Sequence, residues 1–424
     1  MSQLNPTKKQ RTIGQSFSAQ HNSLNFLRLA LAIMVIAGHS LGLGGFGSDQ
    51  ILNKTSVGTL AVFGFFGISG YLIAASAARN NLGRYLWQRF LRIFPGFWVC
   101  LLVTVSVFGV LGWSRVRHPG CDLSCYIGAR EGPLQYLAHN GLLKIVQVNI
   151  AGGPAGVQPF GWNGSLWTLF YEFICYLALG GIAAAGLLRR RSAVLAGVVL
   201  LWLLEVVVVS SPALNASIQQ HQELMYLLTF APIFFSGALL YLYRDSVPDS
   251  GRVALLCVGF FAISFALPIG KQALLWPMTA ANIAAPALAY PVLWLGMHLP
   301  FQRIGSRNDY SYGTYIYAFP VQQTLSLWGL NRLGLAPYFL LSVVGTAPFA
   351  VASWWIVEKR ALGLKKVQFR KLLGIRTTAS EASADRDTMQ TDSLPRTSEP
   401  DPLSALTSPM PVPLQATEAM TAPE

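Results

Sequence analysis

Apolar residues in this chain fall in long blocks rather than in the short alternations of a water-soluble domain. Ten runs stand out, at residues 24–43, 57–78, 93–113, 166–188, 193–210, 224–243, 253–269, 278–298, 309–328 and 337–357. Crossing a bilayer as a helix takes about 20 mostly apolar residues. The pattern therefore predicts an all-α fold, a polytopic membrane protein of about ten transmembrane helices. Pro277, Pro286 and Pro291 interrupt the eighth run. Proline is tolerated inside a membrane helix where neighbours satisfy the freed carbonyls, so a kinked span is expected there.

The polar positions between the runs set the expected orientation. With the N-terminus inside, the inner connections carry Arg79, Arg84, Arg89 and Arg92, then Arg189, Arg190 and Arg191. Further inner connections carry Arg244 and Arg252, Arg303 and Arg307, and Lys359, Arg360, Lys365 and Lys366. The short outer ones hold only Lys54, Lys271 and Arg332. Cytoplasmic loops are enriched in Lys and Arg, so both termini are expected in the cytoplasm.

Four regions follow: a polar N-terminus (1–23), a transmembrane domain (24–361), a basic juxtamembrane segment (362–374) and a tail (375–424). The first 23 residues lead into an apolar run too long for a cleavable signal peptide, which is expected to stay as an anchor. The tail is rich in Ser, Thr, Pro and Ala, lacks aromatics, and is expected to be disordered. One outer loop, about 114–165, is long and holds His118, His139 and the stretch Gly152-Gly153-Pro154-Ala155-Gly156. Its length favours a function, such as capping an outer-face site, over a bare connection. No internal repeat is visible, which disfavours transporter folds built from two related halves.

Composition agrees with a membrane setting. Of the 424 residues, 53% are hydrophobic and 12% charged, against about 25% charged in soluble domains. Eight of 18 acidic residues lie in the last 50 positions, which leaves the other 374 with a net charge of +18. Such an excess fits cationic cytoplasmic loops better than nucleic-acid binding. Cys121 and Cys125 share the long loop; on the periplasmic side they could join as a disulfide or remain two free thiols. The histidines are scattered and no Cys/His cluster has ligand spacing, so no metal is expected.

Charge is expensive inside a bilayer, so ionisable residues there are functional suspects. The runs hold few: Arg28, His39, Glu172, Glu205 and, at a boundary, Asp309. Arg28 and His39 are 11 residues apart, about 20° beyond three full turns at ~100° per residue, so they share one helix face about 16 Å apart. Taken alone, Arg28 reads equally well as a residue snorkelling to the surface, and His39 as a histidine bonded to nearby backbone. In the second run, Gly64, Gly67 and Gly70 recur at three-residue spacing, which suits close helix packing, while Ser69 and Tyr71 are candidates for polar contacts. Arg89 and Arg92 neighbour each other on a helical turn, and such a pair suits a phosphate-bearing ligand. Glu205 stands in no motif, and Asp309 is explained well enough by its boundary position.

In combination these residues resemble the acyltransferase-3 family. Asn25-x-x-Arg28 followed by His39, then FFGISGYLI, then Arg89-x-x-Arg92-Ile93-x-Pro95, is similar to its N-terminal signature. Ser165-Leu166-Trp167 with Glu172 resembles its Trp-Ser-Leu…Glu motif, SYGTYIYAFP (311–320) its Ser-Tyr-Gly-x-Tyr segment, and Glu358-Lys359-Arg360 its Glu-Lys/Arg-Pro ending. The match runs from about 24 to 361 with the motifs in order. Asn25 stands where the family often has Asp, Ala318 where it often has His, and Ala361 in place of the closing Pro. The resemblance is to the standalone form of the family, which is expected to lack the esterase-like domain of longer members.

The resemblance implies an O-acyltransferase of the bacterial inner membrane, moving an acyl group from acetyl-CoA or another acyl-CoA to a hydroxyl of a saccharide or lipid-linked glycan. No cofactor would be bound permanently, and assembly as a homo-oligomer is left open. His39 would be the general base or carry the acyl group, since imidazole titrates near 6.5. Glu172 would orient the imidazole or bind acceptor hydroxyls at a similar depth. Arg28, Arg89 and Arg92 would engage the donor's phosphates, and Ser69, Tyr71, Trp167 and Tyr315 would contact substrate. The competing classes are a glycolipid or polysaccharide transporter without acyl transfer, and a scaffold acting through the tail.

Overall fold

Every apolar run contains a helix in the computed structural model, which describes residues 10–116, 119–155, 161–269 and 278–366. The helices are α1 (Leu24–Leu43), α2 (Val57–Arg79), α3 (Leu82–Val116), α4 (Thr168–Ala184), α5 (Arg191–Ser210), α6 (Gln222–Leu242), α7 (Gly251–Ser264), α8 (Ala280–His298), α9 (Ser311–Leu327) and α10 (Leu335–Gly363). By length and composition, α1, α2, α3, α5, α6, α8 and α10 can each cross a membrane; α4 and α7 are apolar but shorter. Where a kink is expected, α8 passes through a 3-10 turn at Ala285–Leu288, around Pro286. His118, Gly156, Lys271, Pro277 and the tail lie outside the described residues.

Helix α3 exceeds its expected extent, and α9 is unusually polar, for separate reasons. Helix α3 begins 11 residues before its apolar run and is 35 residues long, about 52 Å at ~1.5 Å per residue. That exceeds the ~30 Å hydrocarbon layer, and Arg89 and Arg92 therefore sit on a helix rather than in a loop. Helix α9 is polar for a span because the rest of the protein surrounds it. Every residue from Ser311 to Ser326 is buried, so its Ser, Thr, Gln and Tyr side chains find partners inside the bundle.

Glycines set the closest helix contact, as their spacing suggested. A Cβ on Gly70 would meet the Phe234 carbonyl of α6, and one on Gly237 would meet the Gly67 carbonyl of α2. The two backbones touch there, and neither position has room for a methyl group. Between α1 and α2 the chain makes a small antiparallel hairpin, β1 (Gln50–Ile51) and β2 (Thr55–Ser56). Leu52 and Asn53, in the three-residue loop between the strands, turn it with left-handed φ of 49° and 54°. Ser56 then caps α2, accepting from the Thr59 N–H at 2.9 Å. The long loop after α3 folds onto the bundle through Asn163, which donates to Thr104 of α3 at 3.0 Å and to the Tyr136 hydroxyl at 2.8 Å. In that loop Cys121 and Cys125 are joined as a disulfide.

Candidate active site

At its Arg28 end, α1 meets α3, α9 and α10 in a cluster of charges. Asp309, just ahead of α9, accepts from Arg28 Nη1 at 2.9 Å and from Arg92 Nη2 at 2.7 Å through the same oxygen. Its other oxygen accepts from the Ser311 amide and hydroxyl, at 3.1 and 2.5 Å. Arg92 also faces Glu358 of α10 at 3.6 Å, and the Glu358 side chain is only 2% exposed. Ser353 donates to that carboxylate at 2.9 Å across a π-helical turn, Ser353–Glu358. Such turns recur at functional sites. The sequence marked Arg28 and Arg92. The carboxylate joining them looked like an ordinary boundary residue, and only the fold makes it their common partner.

Arg89 occupies a different niche from Arg92, one helical turn away. Its guanidinium lies 6.0 Å from the ring centres of both Tyr85 and Tyr176, close enough for a cation–π contact. Tyr176 donates to Glu172 at 2.6 Å, and Ser69 donates to the same oxygen at 2.6 Å. Glu172 thus belongs with Ser69 and the Arg89 niche, not beside His39 where depth counting put it. The reason is that α1 and α2 run antiparallel. Gly58 lies against His39, so Ser69, 11 residues on, is level with Arg28, 11 residues back, about 16 Å away in each case. Glu172 therefore does not orient the imidazole.

His39 lies near the opposite end of α1, partly accessible. Its ring packs edge-on to Phe319 of α9 with centres 5.1 Å apart, and Nδ1 has no hydrogen-bond partner among the described residues. The point where Gly58 would carry a Cβ is 4.0 Å from His39 Nε2, 3.7 Å from Asp49 Oδ2 and 3.7 Å from Ser56 Oγ. An imidazole, a carboxylate and a hydroxyl thus surround a spot left open by a glycine. Asp49 accepts from the Gly58 N–H and the Ser56 hydroxyl, and burial nevertheless pushes its carboxyl above the ordinary range. Sequence reasoning passed over Asp49, which sits in a loop rather than a span. The available signal was an acidic residue close behind a histidine helix.

The remaining candidates divide. Tyr315 donates to the Ser165 carbonyl at 2.7 Å and is hydrogen-bonded to Thr168, tying the Ser165–Trp167 segment to α9. Trp167 is partly accessible and packs on Tyr226, ring centres 4.3 Å apart. Tyr71 is a correction: it is 2% exposed and packs against Phe17 and Tyr241, a structural contact with the segment before α1. Glu205 is fully buried with both oxygens unpartnered among the described residues, and its surroundings do not explain it.

A helical membrane protein with a cation cluster at one end of α1 and an imidazole beside a carboxylate at the other has the parts of a transferase. Comparison with known proteins supplies the class of group transferred. Residues 21–356 match the acyltransferase domain that defines the acyltransferase-3 family, so the chain belongs to that family and is an O-acyltransferase. It is 31% identical to an O-acetyl transferase of Shigella phage Sf6 over 356 residues, 80% of this chain and 96% of that protein. It is 27% identical to nodulation protein 10 of Rhizobium leguminosarum bv. viciae over 378 residues, 82% of this chain and 95% of the relative. No solved structure matches it.

Proposed function

We propose that the protein moves an acetyl group from acetyl-CoA to a hydroxyl of a saccharide or glycoconjugate at the bacterial inner membrane. The observation carrying this reading is the pairing of two unlike sites at the ends of α1, Arg28 and Arg92 meeting on Asp309 with Arg89 one turn away at one end, and His39 with Asp49 at the other. Arg28, Arg89 and Arg92 hold the donor's phosphates from the cytoplasm, and the extended pantetheine arm carries the thioester towards His39. His39 removes the proton from the acceptor hydroxyl as its oxygen attacks the thioester carbonyl. Collapse of the tetrahedral intermediate breaks the C–S bond, and the imidazolium returns its proton to the departing thiolate. The name of the phage relative supports acetyl as the group transferred, and the Cys121–Cys125 disulfide supports an oxidising, outward side for the long loop.

The test uses purified full-length protein in lipid nanodiscs with labelled acetyl-CoA and glycans from a strain lacking the gene. A mass gain of one acetyl group per acceptor is expected. His39→Gln should lower the rate by about 10²- to 10⁴-fold, the usual contribution of a general base, with coenzyme A binding and thermal stability unchanged. Transfer retained in His39→Gln would remove His39 from the chemistry.

A further inference from the structure

One cation near the arginine cluster has no role so far. Helix α10 ends at Gly363, and the chain continues as a short turn, Leu364–Lys366. The Leu364 carbonyl accepts from Trp87 Nε1 of α3 at 3.3 Å, two residues before Arg89. This contact anchors Lys365 beside the start of α3, half-buried. Among the described residues its amine makes no hydrogen bond and no ion pair, although Arg28, Arg89, Arg92 and Asp309 all lie within electrostatic reach.

We propose that Lys365 is a fourth cation of the donor site, meeting the phosphates of the coenzyme A thioester; this rests on the donor reading above. The charged groups gathered there are Arg28 of α1, Arg89 and Arg92 of α3, Glu172 of α4, Asp309 ahead of α9, Glu358 of α10 and Lys365 itself. Four cations thus face three carboxylates, which leaves one positive charge in excess. A half-buried excess of like charge is unfavourable unless an anion joins it, and a polyphosphate ligand supplies that anion with several oxygens at once. Burial and the neighbouring arginines bring the Lys365 amine down to about 8. Arginine and tyrosine stay protonated in this range, and a phosphomonoester, with its second pKa near 6, is already mostly doubly ionised. Lys365 is therefore the one cation of the cluster that titrates between pH 7 and 9. Bound phosphate favours its protonated form, so donor affinity falls as pH rises through its pKa.

Coenzyme A binding to the full-length protein in zwitterionic nanodiscs, measured calorimetrically at pH 7 and pH 9, tests this. Wild-type affinity is expected to weaken about five- to tenfold between them, because binding at pH 9 must take up a proton that an amine of pKa about 8 has mostly lost. Lys365→Gln should bind weakly at both pH values, whereas Lys365→Arg should bind tightly at both. Wild-type affinity and slope in Lys365→Gln, or an Arg variant as weak as the Gln variant, would overturn the proposal and leave the donor site standing. No coenzyme A binding to the wild type would overturn the donor reading, and the proposal with it. A variant effect confined to nanodiscs containing an anionic lipid would assign the cation to a headgroup and also overturn the proposal.

Discussion

Replacing Asp309 by Asn removes one negative charge from between two guanidiniums while keeping the side chain's shape. The carboxylate is 13% exposed, and its partners Arg28 and Arg92 are 21% and 14% exposed, so water replaces it poorly. Removing one partner of a buried pair costs about 3–5 kcal/mol, and each charge-assisted hydrogen bond contributes about 1.5–3 kcal/mol. An asparagine would keep its Oδ1 on Ser311, as Asp309 does now, and turn its NH₂ donors towards the guanidiniums. Both ion pairs are then lost, although Arg92 retains Glu358. The expected loss is about 3 kcal/mol, the lower end of that range, read as a fall of several degrees in the melting midpoint by tryptophan fluorescence in nanodiscs. Donor phosphates should offset part of this, so saturating coenzyme A should raise the midpoint more in Asp309→Asn than in the wild type. Combining Arg28→Ala with Asp309→Asn should cost less than the sum of the two, because they remove one shared interaction. A midpoint within about 1 °C of wild type, with an unchanged coenzyme A shift, would refute Asp309 as the keystone of this end of the site.

Two further predictions address the other end and the packing. If Asp49 works ionised beside His39, activity is lost as pH falls through its raised pKa, and Asp49→Asn should abolish that acid limb while lowering the plateau; an unchanged limb would exclude Asp49. Gly70→Ala should sharply reduce thermal stability because its methyl group meets the Phe234 carbonyl, whereas Gly42→Ala, with open space around it, should be neutral or gain up to about 1 kcal/mol; equal stabilities would refute backbone contact between α2 and α6.

The helices were legible because burial in lipid leaves a continuous apolar record. Each run contains a helix, and the irregular turn in α8 falls at Pro286, one of the prolines that interrupt its run. Arg28 and His39 stood out for the same reason, since an ionisable group in an apolar run is conspicuous. Neighbours at equal depth on different helices were not legible. Glu172 was set beside His39 by counting turns from a loop whose position was unknown; the antiparallel α1 and α2 put it with Ser69 and Tyr176 instead.

His39, Arg28, Arg89 and Arg92 were thus determined as candidates by the sequence alone, through residue type, spacing and ordered motifs. Their partners were decided by tertiary structure. Asp309 follows Arg28 by 281 residues, Leu364 follows Trp87 by 277, and Asp49 reaches the His39 site through a hairpin of two-residue strands. Local periodicity cannot encode such meetings. They depend on helix order, direction and register, which close packing of whole surfaces selects.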